Sequence, residues 1–441
     1  MSLPSLGMPH FESPPIKGGR FIPVWFYIIC LVGIFTGTVV AFFLHVLNWV
    51  TQLRIQHSEL IYFLPLGGLL VGLLYYYGDK RASKGNQLIF AEVQKPKVRL
   101  PFVMTPMVLL GTWLTHLVGG SAGREGTALQ LGTSLADQVG HFFPVFKDVS
   151  SRHRHILILM GVSAGFSAVF GTPLAGTVFA LEVFTFRCMH VSAVLPVFAA
   201  AMIGHFICLL WGVEHAHYLW VSPVSPTPLT WFWVLFLGCC CGLVAHLFIS
   251  ATKTIEHFFK ISIKWPPLRP AAGGLILLSL VLILKADTSY LGLGLSEIEK
   301  SFEMGSTPWD FAVKLLFTAL TLGAGFKGGE VTPLFFIGAT FGSAFSWISA
   351  LPPSFLAGLG FLAVFAGATQ TPLACILMGI ELYGYNQPNT LIFLTLVCLS
   401  SWLCSGAKSI YPGQRLSLVK LLTLRRYRAW KENQISPPQV T

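Results

Sequence analysis

Apolar runs cover residues 21–52, 60–77, 101–119, 156–184, 191–212, 228–250, 270–284, 312–326, 333–348, 354–383 and 388–405, with short polar joints between them. Several reach the roughly 20 residues that a helix needs to cross a bilayer's hydrocarbon. Others are too short, or are interrupted by Gly and Pro. The pattern predicts an all-α polytopic membrane protein with broken and re-entrant helices, which are tolerated where protein or a cavity covers the backbone. A plain bundle of unbroken helices with ragged ends is the simpler alternative.

Composition supports the membrane reading. Of 441 residues, 54% are hydrophobic and only 11% charged, with mean hydropathy +0.69. A soluble domain carries about 25% charged residues. The net charge of +11 would suit a nucleic-acid binder, but its distribution argues against one. Residues 78–100, 253–269 and 408–432 carry net +4, +3 and +6, whereas 287–310 carry net −4. Basic loops between apolar spans are the positive-inside signature. They place both termini and the basic loops in the cytoplasm, the acidic stretch outside, and require an even number of full crossings. The first 20 residues are polar and contain four prolines, unlike a cleavable signal peptide. The nine cysteines lie in or beside apolar runs without metal-ligand or redox spacing, so they are expected to pack. No base–nucleophile pair, metal cluster or nucleotide loop is found, and no cofactor is expected. The thirteen histidines, among them His10, His116 and His205, are scattered and expected to be structural or interfacial.

The chain repeats itself. Residues 160–183 and 361–382 each hold an Ala/Gly run, then Thr-Pro-Leu-Ala, then an apolar stretch with a late glutamate, Glu182 or Glu381. Pro173 and Pro372 are 199 residues apart, and Glu125 and Glu330 are 205 apart. An internal duplication is expected, with repeats at about 21–215 and 225–420 inside a transport domain spanning 21–420. The remainder is a cytoplasmic segment, 1–20, and a basic cytoplasmic tail, 421–441. Pro173 and Pro372 suit a first helical turn, and Thr172 and Thr371 are placed to cap it. Glu182 and Glu381 read as structural carboxylates near an interface.

Two carboxylates sit among glycines at helix mouths. In Gly123–Arg124–Glu125–Gly126–Thr127 the glycines permit a sharp turn and close approach to a ligand, and a helix starting there offers N–H groups to an anion. Glu125, itself an anion, can occupy such a site when ionised and leave when protonated. Arg124 can neutralise nearby charge or bond the turn's carbonyls. The alternative is that Glu125 only caps the helix. The second mouth is Gly328–Gly329–Glu330–Val331–Thr332–Pro333. Here Pro333 suits a helix start and Thr332 can donate to an anion. Two negative charges in a dry cavity repel strongly, so Glu330 would hold a proton while the anion is bound. The alternative is a solvent-facing Glu330 paired with Lys327. Asn86 offers an amide donor and Tyr411 a phenolic O–H to the same pocket.

With these motifs the chain resembles the CLC family of chloride channels and anion/proton antiporters from about residue 20 to 420. GREGT at 123–127 matches the gating-glutamate motif, GEVTP at 329–333 matches GxFxP, GNQLI at 85–89 matches GSGIP, and Tyr411 matches the central tyrosine. The Pro-Leu-Ala helices match at 173–175 and 372–374. The departures are similar to the CLC-F fluoride/proton antiporter branch: Asn86 for a serine, Ile89 for a proline, Thr127 for a proline, and the Glu330–Thr332 pair around Val331. Val183 stands where proton-exchanging relatives carry an internal glutamate. The resemblance implies inverted-topology repeats, a homodimer with one pathway per subunit, no cystathionine-synthase-like domains, and a cell membrane location, the bacterial inner membrane. It assigns gating and proton coupling to Glu125 and Glu330. Asn86, Gly126, Thr127, Val331, Thr332 and Tyr411 would line the anion, with Gly123, Arg124, Gly329 and Pro333 in support. The expected ligands are fluoride and protons, with lipid around the protein and no nucleic acid. Compact O–H and N–H donors suit a small, strongly accepting halide. The expected function is fluoride export against proton influx. Chloride/proton exchange or a passive chloride channel on the same fold is one alternative, and a non-transporting structural or sensor subunit is another.

Overall fold

A computed structural model describes residues 21–94, 98–142, 153–185, 191–215, 218, 220, 224–285, 287–384, 388–414 and 420. The expected segments 1–20 and 421–441 lie outside the described residues. The chain is helical almost throughout. The first half contains α1 (Phe21–Gln56), α2 (Leu64–Tyr77), α3 (Asn86–Gln94), α4 (Met104–Leu117), α5 (Glu125–Phe142), α6 (Arg154–Phe170), α7 (Pro173–Thr185) and α8 (Val191–Leu210). The second contains α9 (Pro228–Ser262), α10 (Leu268–Leu284), α11 (Leu295–Glu303), α12 (Asp310–Ala324), α13 (Val331–Ala344), α14 (Pro353–Thr369), α15 (Pro372–Tyr383) and α16 (Pro388–Cys404). Each helix of the first series has a counterpart of similar length eight places later. Among the described residues, five helical stretches are long and apolar enough to cross a membrane: Pro23–Gln56, Ser58–Tyr77, Ser192–Leu210, Pro228–Ser262 and Val331–Ser349. The 36 residues of α1 extend about 54 Å, more than the hydrocarbon thickness, so α1 tilts or projects beyond it.

Packing repeats as well. α5 crosses α6 at Gly132 and Gly161, and α13 crosses α14 at Gly338 and Gly360. A Cβ on Gly132 would stand 2.1 Å from the Gly161 carbonyl oxygen, and one on Gly338 would stand 2.3 Å from that of Gly360. Only glycine lets these backbones touch. The long runs 156–184 and 354–383 are each two helices, broken where Gly171 (φ 73°) and Gln370 (φ 62°) turn left-handed. Gln370 holds its turn through an amide N–H to the Gly367 carbonyl, 2.8 Å.

The helices after those breaks are not capped by their threonines, contrary to expectation. Thr172 Oγ1 has no partner, and Thr371 Oγ1 pairs with Thr369 Oγ1 at 2.6 Å. The caps come from the other half. The Glu381 carboxylate accepts from Leu174 N–H and Ala175 N–H, both 2.8 Å. Glu182 accepts from Leu373 N–H at 3.1 Å and Ala374 N–H at 2.8 Å. Each Pro-Leu-Ala start thus lends two orphan donors to an anion on the opposite repeat, and α7 packs on α15. Both glutamates are hydrogen-bonded at the interface between the repeats.

Three helices escaped the apolar pattern: α3, α5 and α11. A buried charge network positions the first two. Arg154 opens α6 and donates from Nε to Asp137 (2.6 Å) on α5 and from a terminal nitrogen to Glu92 (2.9 Å) on α3.

Candidate functional site

The two glycine-rich mouths meet. Gly123 N–H donates to the Gly329 carbonyl at 2.6 Å, and Gly329 N–H donates back at 2.7 Å, an isolated antiparallel bridge between the halves. This pairing sets Gly123 opposite Gly329 and corrects the expected correspondence of the glutamates. α5 begins at Glu125, whereas α13 begins at Val331 with Glu330 at its N-cap position. Glu330 therefore matches Arg124 in register. The two acids are not equivalent.

Glu125 is buried, 1% exposed, and its carboxylate reaches across to the other mouth. Oε2 accepts from Thr332 N–H and from Arg124 N–H, each at 3.0 Å, while Oε1 accepts the Thr332 hydroxyl. The Arg124 guanidinium Nε lies 3.8 Å from Oε1 and makes no hydrogen bond. Thr332 is in the first turn of α13, so the carboxylate occupies a helix N-terminus, where an anion is stabilised. A cavity of about 20 Å³ adjoins it, lined by Arg124, Glu125, Tyr218, Thr332, Phe335 and Phe361 among others. That is room for one water-sized species.

The remaining candidates divide. The Tyr411 ring is buried between Phe90, stacked at 5.2 Å, and the edge of Phe179 at 6.2 Å, and its hydroxyl has no partner. Asn86 lies one helical turn before Phe90. Its Oδ1 is buried and unpartnered, and its amide nitrogen would lie 3.6 Å from a Cβ placed on Gly126. Buried polar atoms are normally paired; the Tyr411 hydroxyl has a proton to donate to an anion, whereas Asn86 Oδ1 is an acceptor and only its amide N–H groups suit one. Thr127 Oγ1 pairs with Thr112 Oγ1 at 2.7 Å. Gly126 lies against Gly329, where a Cβ would come within 3.1 Å of the Gly329 Cα. Pro333 packs close to Gly123, and buried Val331 opens α13.

Glu330 is half-buried and makes no ion pair with Lys327. The Lys327 ammonium instead lies over the Tyr75 ring at 4.4 Å. The basic stretch 253–269, expected to be a loop, is helical as far as Ser262, where α9 ends. Arg124 beside Glu125 lines a different cavity of about 940 Å³, shared with Asp287, Glu299 and Glu214, on the acidic side. Val183 is a core residue, 2% exposed, and supplies no acid.

Sequence reading missed the scaffold behind the gate. Ser121 Oγ bonds Thr318 Oγ1 at 2.9 Å, Ser121 N–H donates to Thr321 Oγ1 at 3.1 Å, and Lys314 lies on the same face of α12. The signal was a polar stripe at 314, 318 and 321 in an apolar helix.

The family described as voltage gated chloride channel matches residues 67–406. This chain belongs to the voltage-gated chloride channel family, the CLC family. It is 43% identical to a protein of Pseudomonas syringae pv. tomato named chloride/fluoride channel protein, covering 90% of this chain and 87% of that one. It is 27% identical to a Salmonella schwarzengrund H(+)/Cl(−) exchange transporter, ClcA, covering 87% and 86%. A solved structure of a CLC-type fluoride/proton antiporter superposes with TM-score 0.85 at 34% identity, covering 91% of this chain and all of that one. A slow cyanobacterial Cl−/H+ antiporter shares the fold at TM-score 0.75 and 22% identity, covering 92% and 99%. The protein is a membrane-spanning transporter of the chloride/fluoride and proton antiporter family, as the motifs implied.

Proposed function

We propose that this CLC protein exports cytoplasmic fluoride in exchange for protons moving inward. The observation that carries the reading is the Glu125 carboxylate seated on Thr332 N–H, the Thr332 hydroxyl and Arg124 N–H. A proton-labile anion fills a seat that would equally hold a halide. Protonation releases Glu125, and a halide takes its donors. The small cavity and the O–H and N–H donors of Thr332, Asn86 and Tyr411 favour fluoride, whose tight hydration shell needs compact replacements. Glu330, on the inner side, carries the proton onward and, while protonated, donates a hydrogen bond to the bound ion. The likeness to relatives named for fluoride supports the same choice. An inside-negative potential contributes about 2.3 kcal/mol per charge per 100 mV and drives both ions in the proposed directions. The protein works as a homodimer in a bacterial inner membrane, with both termini cytoplasmic and two repeats at about 21–215 and 225–420.

Chloride/proton exchange is the second reading, favoured by the Salmonella relative's printed activity. Proteoliposomes loaded with fluoride or chloride, recorded with ion-selective electrodes under an imposed pH gradient, separate the two. Uphill fluoride movement driven by the gradient supports the proposal. Uphill chloride movement without fluoride, downhill flux indifferent to pH, or no flux from folded protein would each overturn it.

A further inference from the structure

The large cavity on the acidic side contains a cation with no counter-ion. Arg54 ends α1 and lines the cavity with Arg124, Leu291, Leu293 and Gly294. Its Nε is buried without a hydrogen bond. Its guanidinium forms no ion pair with any carboxylate among the described residues. The carboxylates lining the same cavity are those of Glu214, Asp287 and Glu299.

A second cation stands behind the first. Lys314 is wholly buried, and its ammonium donates to the Gly292 carbonyl at 2.8 Å and the Tyr290 carbonyl at 3.0 Å. It also lies 5.0 Å from the centre of the Phe336 ring. These contacts satisfy its donors without neutralising its charge. An Arg54 terminal nitrogen would lie 3.8 Å from a Cβ on Gly292, so both cations meet at this residue. His116 has both ring nitrogens against the Thr112 and Ala122 carbonyls, at 2.8 and 3.1 Å, and brings no negative charge; Asp310, one turn before Lys314 on α12, is engaged by the Tyr290 hydroxyl at 2.6 Å and Thr307 N–H at 2.8 Å. Two like charges held together in a partly dry site repel, and a desolvated charge without a partner is costly.

We propose that Gly292, between Arg54 and Lys314, marks a binding site for a small monovalent anion in the outer cavity, separate from the Glu125 seat. Arg54 supplies the hydrogen-bond donors. Lys314 fixes the loop behind it by holding the Tyr290 and Gly292 carbonyls. An anion leaving the gate past Arg124 passes through the same cavity, so the site holds it before release. The ligand class is a halide or a similarly compact anion. The site does not depend on which halide is exported or on proton coupling.

Bromide tests it by anomalous diffraction from crystals of the full chain, together with bromide titration of the detergent-solubilised protein. The expected result is a bromide peak within hydrogen-bond reach of the Arg54 guanidinium in wild type. In Arg54→Gln that peak should vanish and outer-site affinity should fall about tenfold, the scale of a lost charged hydrogen bond, while Arg54→Lys retains part of it. Arg54 is half-exposed, so its variants need not disturb the core. Lys314→Met adds a second arm where it folds. A peak confined to the Thr332 seat, no peak at all, or a peak unchanged in Arg54→Gln would overturn the site and leave Arg54 as a helix-end charge.

Discussion

Thr332→Val removes one hydroxyl at nearly constant volume. In the structure that hydroxyl donates to Glu125 Oε1, while Thr332 N–H and Arg124 N–H, both at 3.0 Å, hold Oε2. The backbone donors survive the substitution, so one of three donated bonds is lost. A hydrogen bond to a charged group contributes about 1.5–3 kcal/mol. The seated, ionised Glu125 should therefore lose about 10- to 150-fold in population relative to the released form. The same hydroxyl is proposed to bind fluoride, so the halide also loses a donor and the seat weakens for both occupants. The expected outcome is slippage: fluoride efflux from proteoliposomes continues, but fewer protons accompany each ion. Simultaneous electrode recording of fluoride and pH gives the ratio directly. A Thr332→Val protein with wild-type rate and wild-type proton ratio, each within twofold, would refute the seat as the coupling element.

Three further outcomes test other parts of the structure. Glu182→Gln presents an amide NH2 to one of the two N–H donors at the start of α15. It should lower thermal stability in detergent by about 1–3 kcal/mol and leave the ion ratio of the folded fraction unchanged; an altered ratio would make Glu182 a proton carrier instead. Gly338→Val forces a side chain towards the Gly360 carbonyl, with Cβ only 2.3 Å from its oxygen, so size-exclusion profiles and unfolding curves should show loss of folded protein, and a normal profile would contradict the crossing. Glu330→Ala should fold normally, lose proton-driven fluoride accumulation and transport fluoride at least about tenfold more slowly; coupled flux like wild type would remove Glu330 from the pathway.

Much of the architecture was legible because apolar runs and duplicated Pro-Leu-Ala segments report burial and repetition directly. The same pattern was blind to α3, α5 and α11, which carry polar residues for neighbours rather than for solvent. Asp137 and Gln138 on α5 are buried because Arg154 and the Leu100 backbone meet them, contacts distant in sequence. The mouth proposed as the gate was legible as glycines around a glutamate. The partner of that glutamate was not: Glu125 could be placed at its own helix mouth, but only the Gly123–Gly329 bridge brings it to Thr332. The threonine caps failed for a similar reason, since Glu182 and Glu381 supply better acceptors from the opposite repeat. Lys314 and Arg54 went unnoticed because each is an isolated cation in sequence, and only folding brings both to Gly292.

The most direct measurement is proton-coupled fluoride flux in Glu125→Gln. Glutamine matches the shape of the side chain and can retain the two backbone N–H bonds through its amide oxygen, but it cannot take up and release a proton near neutral pH. An imposed pH gradient should then no longer drive fluoride across the membrane of reconstituted vesicles, even though the protein remains folded. Fluoride accumulation with the rate and proton ratio of the unsubstituted protein would contradict the gate.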